Sequence, residues 1–396
     1  MMQISPETQL FIREHSSDDV RVLALQAKKY PDIDMPTAIT QIAGRKVAAE
    51  KIPSWWEIEK IWYPKHLSLE QCSSEITARY KARLLQGDSL TDLTGGFGID
   101  CSFLATGFKS ATYVERQEEL CEIAAHNFPV LNLNHINIKN EDGVTYLQAM
   151  SPVDCLFLDP ARRNEHGGKT VAISDCEPNV AELEELLLQK ANRVMIKLSP
   201  MLDLSLALKE LKQTQEVHIL SVNNECKELL ILLGQTSPAE ISIHCVNLFT
   251  KGTQKEQHFV FTREQEQCSE CTYTDSLETY LYEPNASLLK AGAFRSIAAA
   301  YPVRKLHPNS HLYTSDTFIE NFPGRIFRIV NQCSFNKKEV KENLADLKKE
   351  NVTVRNFPAT VAELRKRIHL AEGGDTYLFA STLNNGQKVL IRCEKV

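Results

Sequence analysis

From Leu69 to about Glu240, short apolar runs alternate with helical stretches, and this pattern limits the chain to few folds. The runs are SLTDL (89–93), ATYVE (111–115), INIKN (136–140), VDCLFLD (153–159), RVMIKLS (193–199), EVHILSV (216–222) and ELLILLG (228–234). Between several of them lie helical patterns such as 116-RQEELCEIAAHNF-128, 180-VAELEELLLQKA-191 and 203-DLSLALKELK-212. Such alternation predicts a parallel sheet with helices on both faces. The last two runs, joined by NNECK, predict an antiparallel hairpin. The expected class is α/β: a Rossmann-like sheet of five or six parallel strands ending in an antiparallel one.

The flanks read differently. Residues 1–70 are expected to be helical, with Asp18-Asp19 capping one helix and Met35-Pro36-Thr37 opening another. All three Trp fall within SWWEIEKIW (54–62), a spacing that suits a core or seam plug. Residues 71–276 form the sheet domain, ending in the polar stretch 262-TREQEQCSECTYTDS-276, read as a loop. Residues 277–321 hold a short helix, LLKAGAFRSIAAAY, and residues 322–396 form a compact α+β pattern with a turn at Asn385-Gly386.

The eleven Cys, an odd number without framework spacing, suit reduced thiols and a cytoplasmic setting. No signal peptide or membrane span is read. No metal is expected. Cys268 and Cys271 form a single C-x-x-C, with His244 and His258 upstream as the other donors. Net charge is −6, but residues 322–396 carry 14 Lys+Arg against 8 Asp+Glu. Such asymmetry points to a basic binding module, with Lys337-Lys338 and Arg365-Lys366-Arg367 as candidates.

The Gly-rich turn 92-DLTGGFGID-100 is the main ligand-binding candidate. A P-loop needs Lys-Ser/Thr after its last Gly, and Ile99-Asp100 follows here. A dinucleotide turn needs a third Gly near Asp100 or Cys101, and an acid there opposes a pyrophosphate. S-adenosylmethionine fits better, because it has no phosphate and carries an ammonium. Asp92 suits that ammonium, with Thr94 beside it, and Gly96 and Gly98 allow close backbone approach. Glu115 ends the next strand, where an acid accepts both ribose hydroxyls. Asp142 follows the third strand, in reach of the adenine amino group. Asp159-Pro160 ends the fourth, facing the transferring methyl.

DLTGGFGID, YVERQ, NEDG and FLDPARR, in this order, resemble the motifs of class I S-adenosylmethionine-dependent methyltransferases. More narrowly, 41-QIAGRKVAAEKIP-53, 73-SSEITARYKA-82, 159-DPARR-163, 196-IKLSPMLD-203, 281-LYEPNASLLKAG-292 and 305-KLHPNSHLYTSD-316 resemble bacterial members with a C-terminal THUMP-like domain. Thr94 departs from the general pattern, where many members have Gly. The resemblance implies a seven-stranded sheet with the last strand antiparallel, small C-terminal ferredoxin-like and THUMP-like modules, and RNA, ribosomal or transfer, as partner.

The methylated atom stays open. DPARR has no ring to stack a base, and neither DPARR nor IKLSP holds a nucleophilic Cys. Lys81, Asp159, Lys197 and Glu228 fall in the order of the ribose 2′-hydroxyl methyltransferase tetrad. On this reading Asp159 and Pro160 position the acceptor and Lys197 assists. Arg162 and Arg163 clamp a phosphate, Lys81 contacts substrate, and 164-NEHGGKT-170 is a substrate loop. A protein or small-molecule acceptor, an inactive RNA-binding homologue and a nicotinamide-dependent oxidoreductase are the alternatives.

Overall fold

The computed structural model describes residues 4–162, 172–236, 238–344 and 349–396, apart from the side chains of residues 66, 67 and 162. Two compact units emerge. One comprises 1–215 with 230–238, the other 216–229 with 239–396.

The first unit opens with helices α1 (Pro6–Glu14), α2 (Val20–Leu25), α3 (Met35–Lys51), α4 (Pro53–Trp56), α5 (His66–Gln71) and α6 (Glu75–Ala82). Asp19 caps α2 through the Arg21 N–H, and Asp34 caps α3 through the Thr37 N–H, with Pro36 in the first turn. The alternating segment follows: β1 (Ser89–Asp92), α7 (Ile99–Ala105), β2 (Ser110–Glu115), α8 (Glu118–Val130), β3 (Ile136–Asn140), α9 (Gly143–Ala149) and β4 (Val153–Leu158). Next come the short β5 (Ala161–Arg162) and β6 (Cys176–Glu177), then α10 (Val180–Lys190), β7 (Ala191–Leu198) and α11 (Leu204–Glu210). Within the unit the strand order is β3-β2-β1-β4-β7, all parallel. Chain direction around the sheet reverses between β1 and β4, and the crevice beyond the carboxyl ends of such a pair is where these sheets bind ligands.

The N-terminal helices share a core with this sheet. Ile52, Trp55, Ile61 and Tyr63 pack in one cluster with Phe97, Ile99 and Phe103. Trp55 meets Phe97 edge-on, with ring centroids 5.2 Å apart. Trp62 stacks on His126 at 3.7 Å. Two of the three Trp are thus packed against protein rings, and Trp56 is exposed beside Arg45.

The second unit holds most of β8 (Thr214–Val222), the first half of β9 (Glu225–Gly234), β10 (Ser242–Leu248) and β11 (Glu256–Thr262). Asn223 and Asn224 join β8 to β9 with φ of 49° and 67°, the geometry of a two-residue hairpin turn. β10 runs parallel to β8, and β11 is antiparallel to β10. These four strands follow the order β11-β10-β8-β9.

Two local expectations are corrected. The stretch read as a loop begins with a helix, α12 (Arg263–Cys268), because Thr262 and Gln265 form a reciprocal capping box. The single helix expected after Pro284 is two, α13 (Ala286–Ala291) and α14 (Arg295–Ala300). Gly292, at φ 77°, ends the first in a left-handed cap.

The rest of the second unit is one seven-stranded sheet. Its strands are β12 (Tyr280–Pro284), β13 (Arg304–Lys305), β14 (Tyr313–Ser315), β15 (Gly324–Ser334), β16 (Lys349–Val354), β17 (Ala371–Thr382) and β18 (Lys388–Lys395). Helices α15 (Lys337–Leu344) and α16 (Val361–Ile368) interrupt them. The order is β13-β14-β12-β15-β18-β17-β16. Antiparallel pairing sets Tyr280–Pro284 of β12 against residues 324–328 of β15. The buried Glu283 of β12 is also held by Arg325 of β15 and by Arg355, whose guanidinium lies 2.9 Å away. No described helix is long and apolar enough to cross a membrane.

Candidate active site

The turn after β1 is shaped by its glycines. Gly96 and Gly98 have φ of 54° and 85°, where a side chain is strained. A Cβ on Gly95, which the sequence reading passed over, would come within 2.3 Å of the Tyr113 ring. The turn is latched to β2: the Gly96 N–H donates to Glu115 Oε2 at 2.8 Å, and the Tyr113 hydroxyl donates to the Gly96 carbonyl at 2.5 Å. Glu115 Oε1 accepts from the Gln117 N–H at 2.8 Å. Glu115 is therefore buried and fixed at the strand end by two backbone donors, with further lone pairs on both oxygens.

Asp92 ends β1 and is 1% exposed. Its Oδ1 accepts from the Thr94 N–H at 2.9 Å. Its Oδ2 is buried and meets no hydrogen-bond partner among the described residues. Burial pushes this carboxyl up to about 8; the Thr94 N–H opposes that, and Asp100, Asp159 and Glu115 add to it. Thr94 also ties β1 to β4, since its hydroxyl accepts from the Asp159 N–H at 2.6 Å.

Beside this turn lies a chain of alternating charges. Lys81 of α6 sits on the face that buries Thr77 and Ala78, and is wholly buried. Its ammonium donates to Ser73 Oγ at 2.7 Å and lies 2.8 Å from Asp100 Oδ1. Asp100, in the first turn of α7, accepts from the Ser73 hydroxyl at 2.7 Å and faces Lys197 at 3.5 Å. Lys197, near the end of β7, is paired in turn with Asp159. Burial alone would raise the Asp100 carboxyl, but the Lys81 and Lys197 ammonium groups and the Ser73 hydroxyl hold it below the usual range. Desolvation raises Asp159, with Lys197 opposing. Two ammonium groups and two carboxylates balance along this chain. Asp92 and Glu115 lie outside this chain, and neither meets a cation among the described residues.

The structure thus brings together Asp92, Thr94, Gly96, Gly98, Glu115, Asp159, Lys197 and Lys81. Lys81, expected to contact substrate, is enclosed and bonded within the protein, so it fixes Asp100 instead of reaching an acceptor. Asp100 is the hub that the sequence reading weighed only as an obstacle to pyrophosphate. An acid in a helix first turn is common, and its two lysine partners lie 19 residues before it and 97 after it. Asp142 is exposed and caps α9 through the Val144 and Thr145 N–H groups at 3.1 and 3.0 Å. Pro160 follows β4, and Arg162 pairs by backbone with Cys176 in a short hairpin. Arg163 and the 164–170 stretch lie outside the described residues. Glu228 is buried on β9 in the second unit. Burial pushes the thiols of Cys72 and Cys155 up to about 11, which disfavours their ionised form.

The basic run of α16 does not form one patch. Successive helical residues point about 100° apart. Arg365 is mostly buried, 3.8 Å from Glu372, and Arg367 lies 4.0 Å over the Phe335 ring. Lys366, Arg367, Lys337 and Lys338 are exposed.

Residues 280–323 match the model of a ferredoxin-like domain, and residues 324–395 that of a THUMP domain-like family. No curated protein matches the chain. Among solved structures, the "putative methyltransferase" of Porphyromonas gingivalis W83 is 34% identical over 100% of both chains, with a TM-score of 0.87. An rRNA methylase from Streptococcus thermophilus is 15% identical, covering 40% of this chain and 93% of its own, with a TM-score of 0.30, too low to bear on this chain. The full-length match, the parallel sheet with its glycine turn and the two C-terminal modules together show that the chain belongs to the class I S-adenosylmethionine-dependent methyltransferase family with a C-terminal THUMP-like domain.

Proposed function

We propose that the protein transfers a methyl group from S-adenosylmethionine to RNA, ribosomal or transfer. The observation that carries the cofactor half is Asp92, a buried carboxyl with one oxygen that meets no partner among the described residues, beside a left-handed glycine turn. A buried acid of this kind gains most from a bound cation, and the ammonium of the cofactor is one. Glu115, already fixed by two backbone donors, would accept the ribose hydroxyls. Gly96 and Gly98 would keep the backbone clear of the ligand, and the exposed Asp142 would take the adenine amino group. When bound, the cofactor supplies an electrophilic methyl group on a cationic sulfur. The protein's task is then alignment. Asp159 and Pro160 would hold the acceptor. Lys197, gripped by Asp100 and Asp159, would orient it, and Arg162 and Arg163 would take a phosphate.

The RNA half rests on the THUMP-like match and on the cationic excess of residues 322–396. Cationic side chains exchange for counterions on phosphates and drive such binding. Lys337, Lys338 and Lys366 are the exposed candidates. Arg367 is exposed as well, with its guanidinium over the Phe335 ring, while Arg365 is largely buried and would contribute second.

Thermal-shift titration with S-adenosylhomocysteine, with NADH alongside, tests the cofactor. At about 100 times its dissociation constant the ligand adds about 2.7 kcal/mol of stability. This stabilisation should be absent with NADH and lost in Glu115→Ala, with Glu115→Gln intermediate. No shift with S-adenosylhomocysteine, or an equal shift with NADH, defeats the reading. For RNA, the triple variant Lys337→Glu/Lys338→Glu/Lys366→Glu should bind at least about tenfold more weakly at low salt and show a shallower salt dependence. Unchanged affinity would point instead to a protein or small-molecule acceptor.

A further inference from the structure

Three strands of the second unit bring imidazoles together on one face. Parallel pairing sets His244 of β10 opposite His218 of β8, and Ser242 opposite Glu216. Antiparallel pairing sets His258 of β11 opposite Val246. Side chains alternate along a strand, so Glu216, His218, His244 and His258 all project from the same side. One donor atom each from Glu216, His218 and His244 lies within 4.8 Å of the others. Glu216 Oε2 and His218 Nε2 are 3.3 Å apart. The His218 and His244 rings stack with centroids 4.3 Å apart. His244 Nδ1 shares a hydrogen bond of 3.1 Å with His258 Nε2.

We propose that Glu216, His218 and His244 form a site for a divalent transition-metal ion, with zinc the best fit, and that His258 orients His244 from outside. The donor set carries the choice of ion. Two imidazoles and one carboxylate suit zinc and its neighbours, while calcium and magnesium prefer oxygen alone. Tetrahedral zinc with ligands at about 2.1 Å needs donor atoms about 3.4 Å apart. The Glu216–His218 pair already has that spacing. His244 and Glu216 are half-buried on the sheet surface, so Glu216 can shift and the His244 ring can turn out of its stack on His218 to close a gap of up to about 1.4 Å. Ligating histidines commonly share their second nitrogen with an outer partner that fixes ring orientation, and His258 stands in that position for His244. Water would fill the fourth position. Bound metal would tie β8 to β10 by side chains as well as by backbone. The cysteines at 268 and 271 are not part of this grouping.

The test uses the full-length chain, stripped with chelator and titrated with zinc against a chromophoric competitor. Wild type should bind one ion per chain and gain thermal stability from it. Cobalt in place of zinc should give the intense visible absorption of a tetrahedral site. Glu216→Gln and His244→Ala should each weaken binding at least about tenfold, and His258→Ala by about tenfold. Cys268→Ser/Cys271→Ser should bind as wild type. Glu216 and His244 are partly exposed, so these variants should fold, and circular dichroism checks that. The proposal fails if wild type takes up no zinc, which would leave a hydrogen-bonded imidazole ladder. It also fails if the cysteine variant loses the ion, or if Glu216→Gln and His244→Ala keep it.

Discussion

Replacing Lys197 with methionine is expected to cut methyl transfer by about 10²–10⁴-fold, the usual worth of a positioned proton-handling or orienting group, with cofactor affinity nearly unchanged. The asymmetry follows from where Lys197 sits. It grips Asp159 at the end of β4 and faces Asp100, whereas the groups assigned to the cofactor lie at the ends of β1 and β2, in the turn after β1 and at the start of α9. Methionine keeps the length and apolar stem. Asp100 keeps Lys81 as its partner, and Asp159, which loses its ammonium, is only half-buried and can take up a proton, so the fold should survive a change that otherwise costs several kcal/mol. Lys197→Arg adds a finer test. Guanidinium stays charged and cannot act as a base, so an arginine variant with partial activity would assign Lys197 an orienting role, and an inactive one a proton-transfer role. Wild-type kcat in Lys197→Met would remove Lys197 from the mechanism.

Asp92→Asn should stabilise the ligand-free protein at pH 8 and nearly abolish binding of S-adenosylhomocysteine. The sign comes from linkage. The Asp92 carboxyl titrates near 3.8 in the unfolded chain and at about 8 when folded. A raised folded value means that its full contribution to stability is present below about pH 4. That contribution is lost as pH climbs through about 8, where the buried group must ionise. Wild type should therefore lose stability across this window, and the asparagine variant should lose less. The gain for the variant at pH 8 is about 1–2 kcal/mol, discounted because the amide is itself left short of a partner. Urea melts at pH 5 and pH 8, paired with ligand titration, read both halves. Equal pH slopes in the two proteins would mean that Asp92 is already compensated, and retained ligand affinity would assign the ammonium to another group.

Much of the scaffold was legible in the sequence, because alternation of β-type runs and amphipathic helices reports the parallel sheet directly. Asp92, Glu115 and Asp159 were found at strand ends for the same reason. Features that depend on distant pairing were not visible. Asp100 acquires meaning through Ser73, Lys81 and Lys197, which no local pattern links. The histidine group needs the registers of three strands before its members share a face. The basic run at 365–367 keeps two members, Lys366 and Arg367, on the surface, while the helix turns Arg365 inward. The break between α13 and α14 turned on one left-handed Gly292 in a stretch otherwise suited to a continuous helix.

The edge contact between Trp55 and Phe97 gives the helices before the sheet a further meaning. Phe97 stands between the two left-handed glycines, so the turn that would receive a ligand rests on aromatic rings from outside the alternating segment. A fragment starting at residue 71 would keep every carboxylate of the candidate site and lose the wall behind them. Such a piece would be expected to fold around a mobile turn and exchange its amides quickly there. The N-terminal helices are therefore not an interchangeable module: evolution or engineering could not swap them without redesigning the binding turn as well.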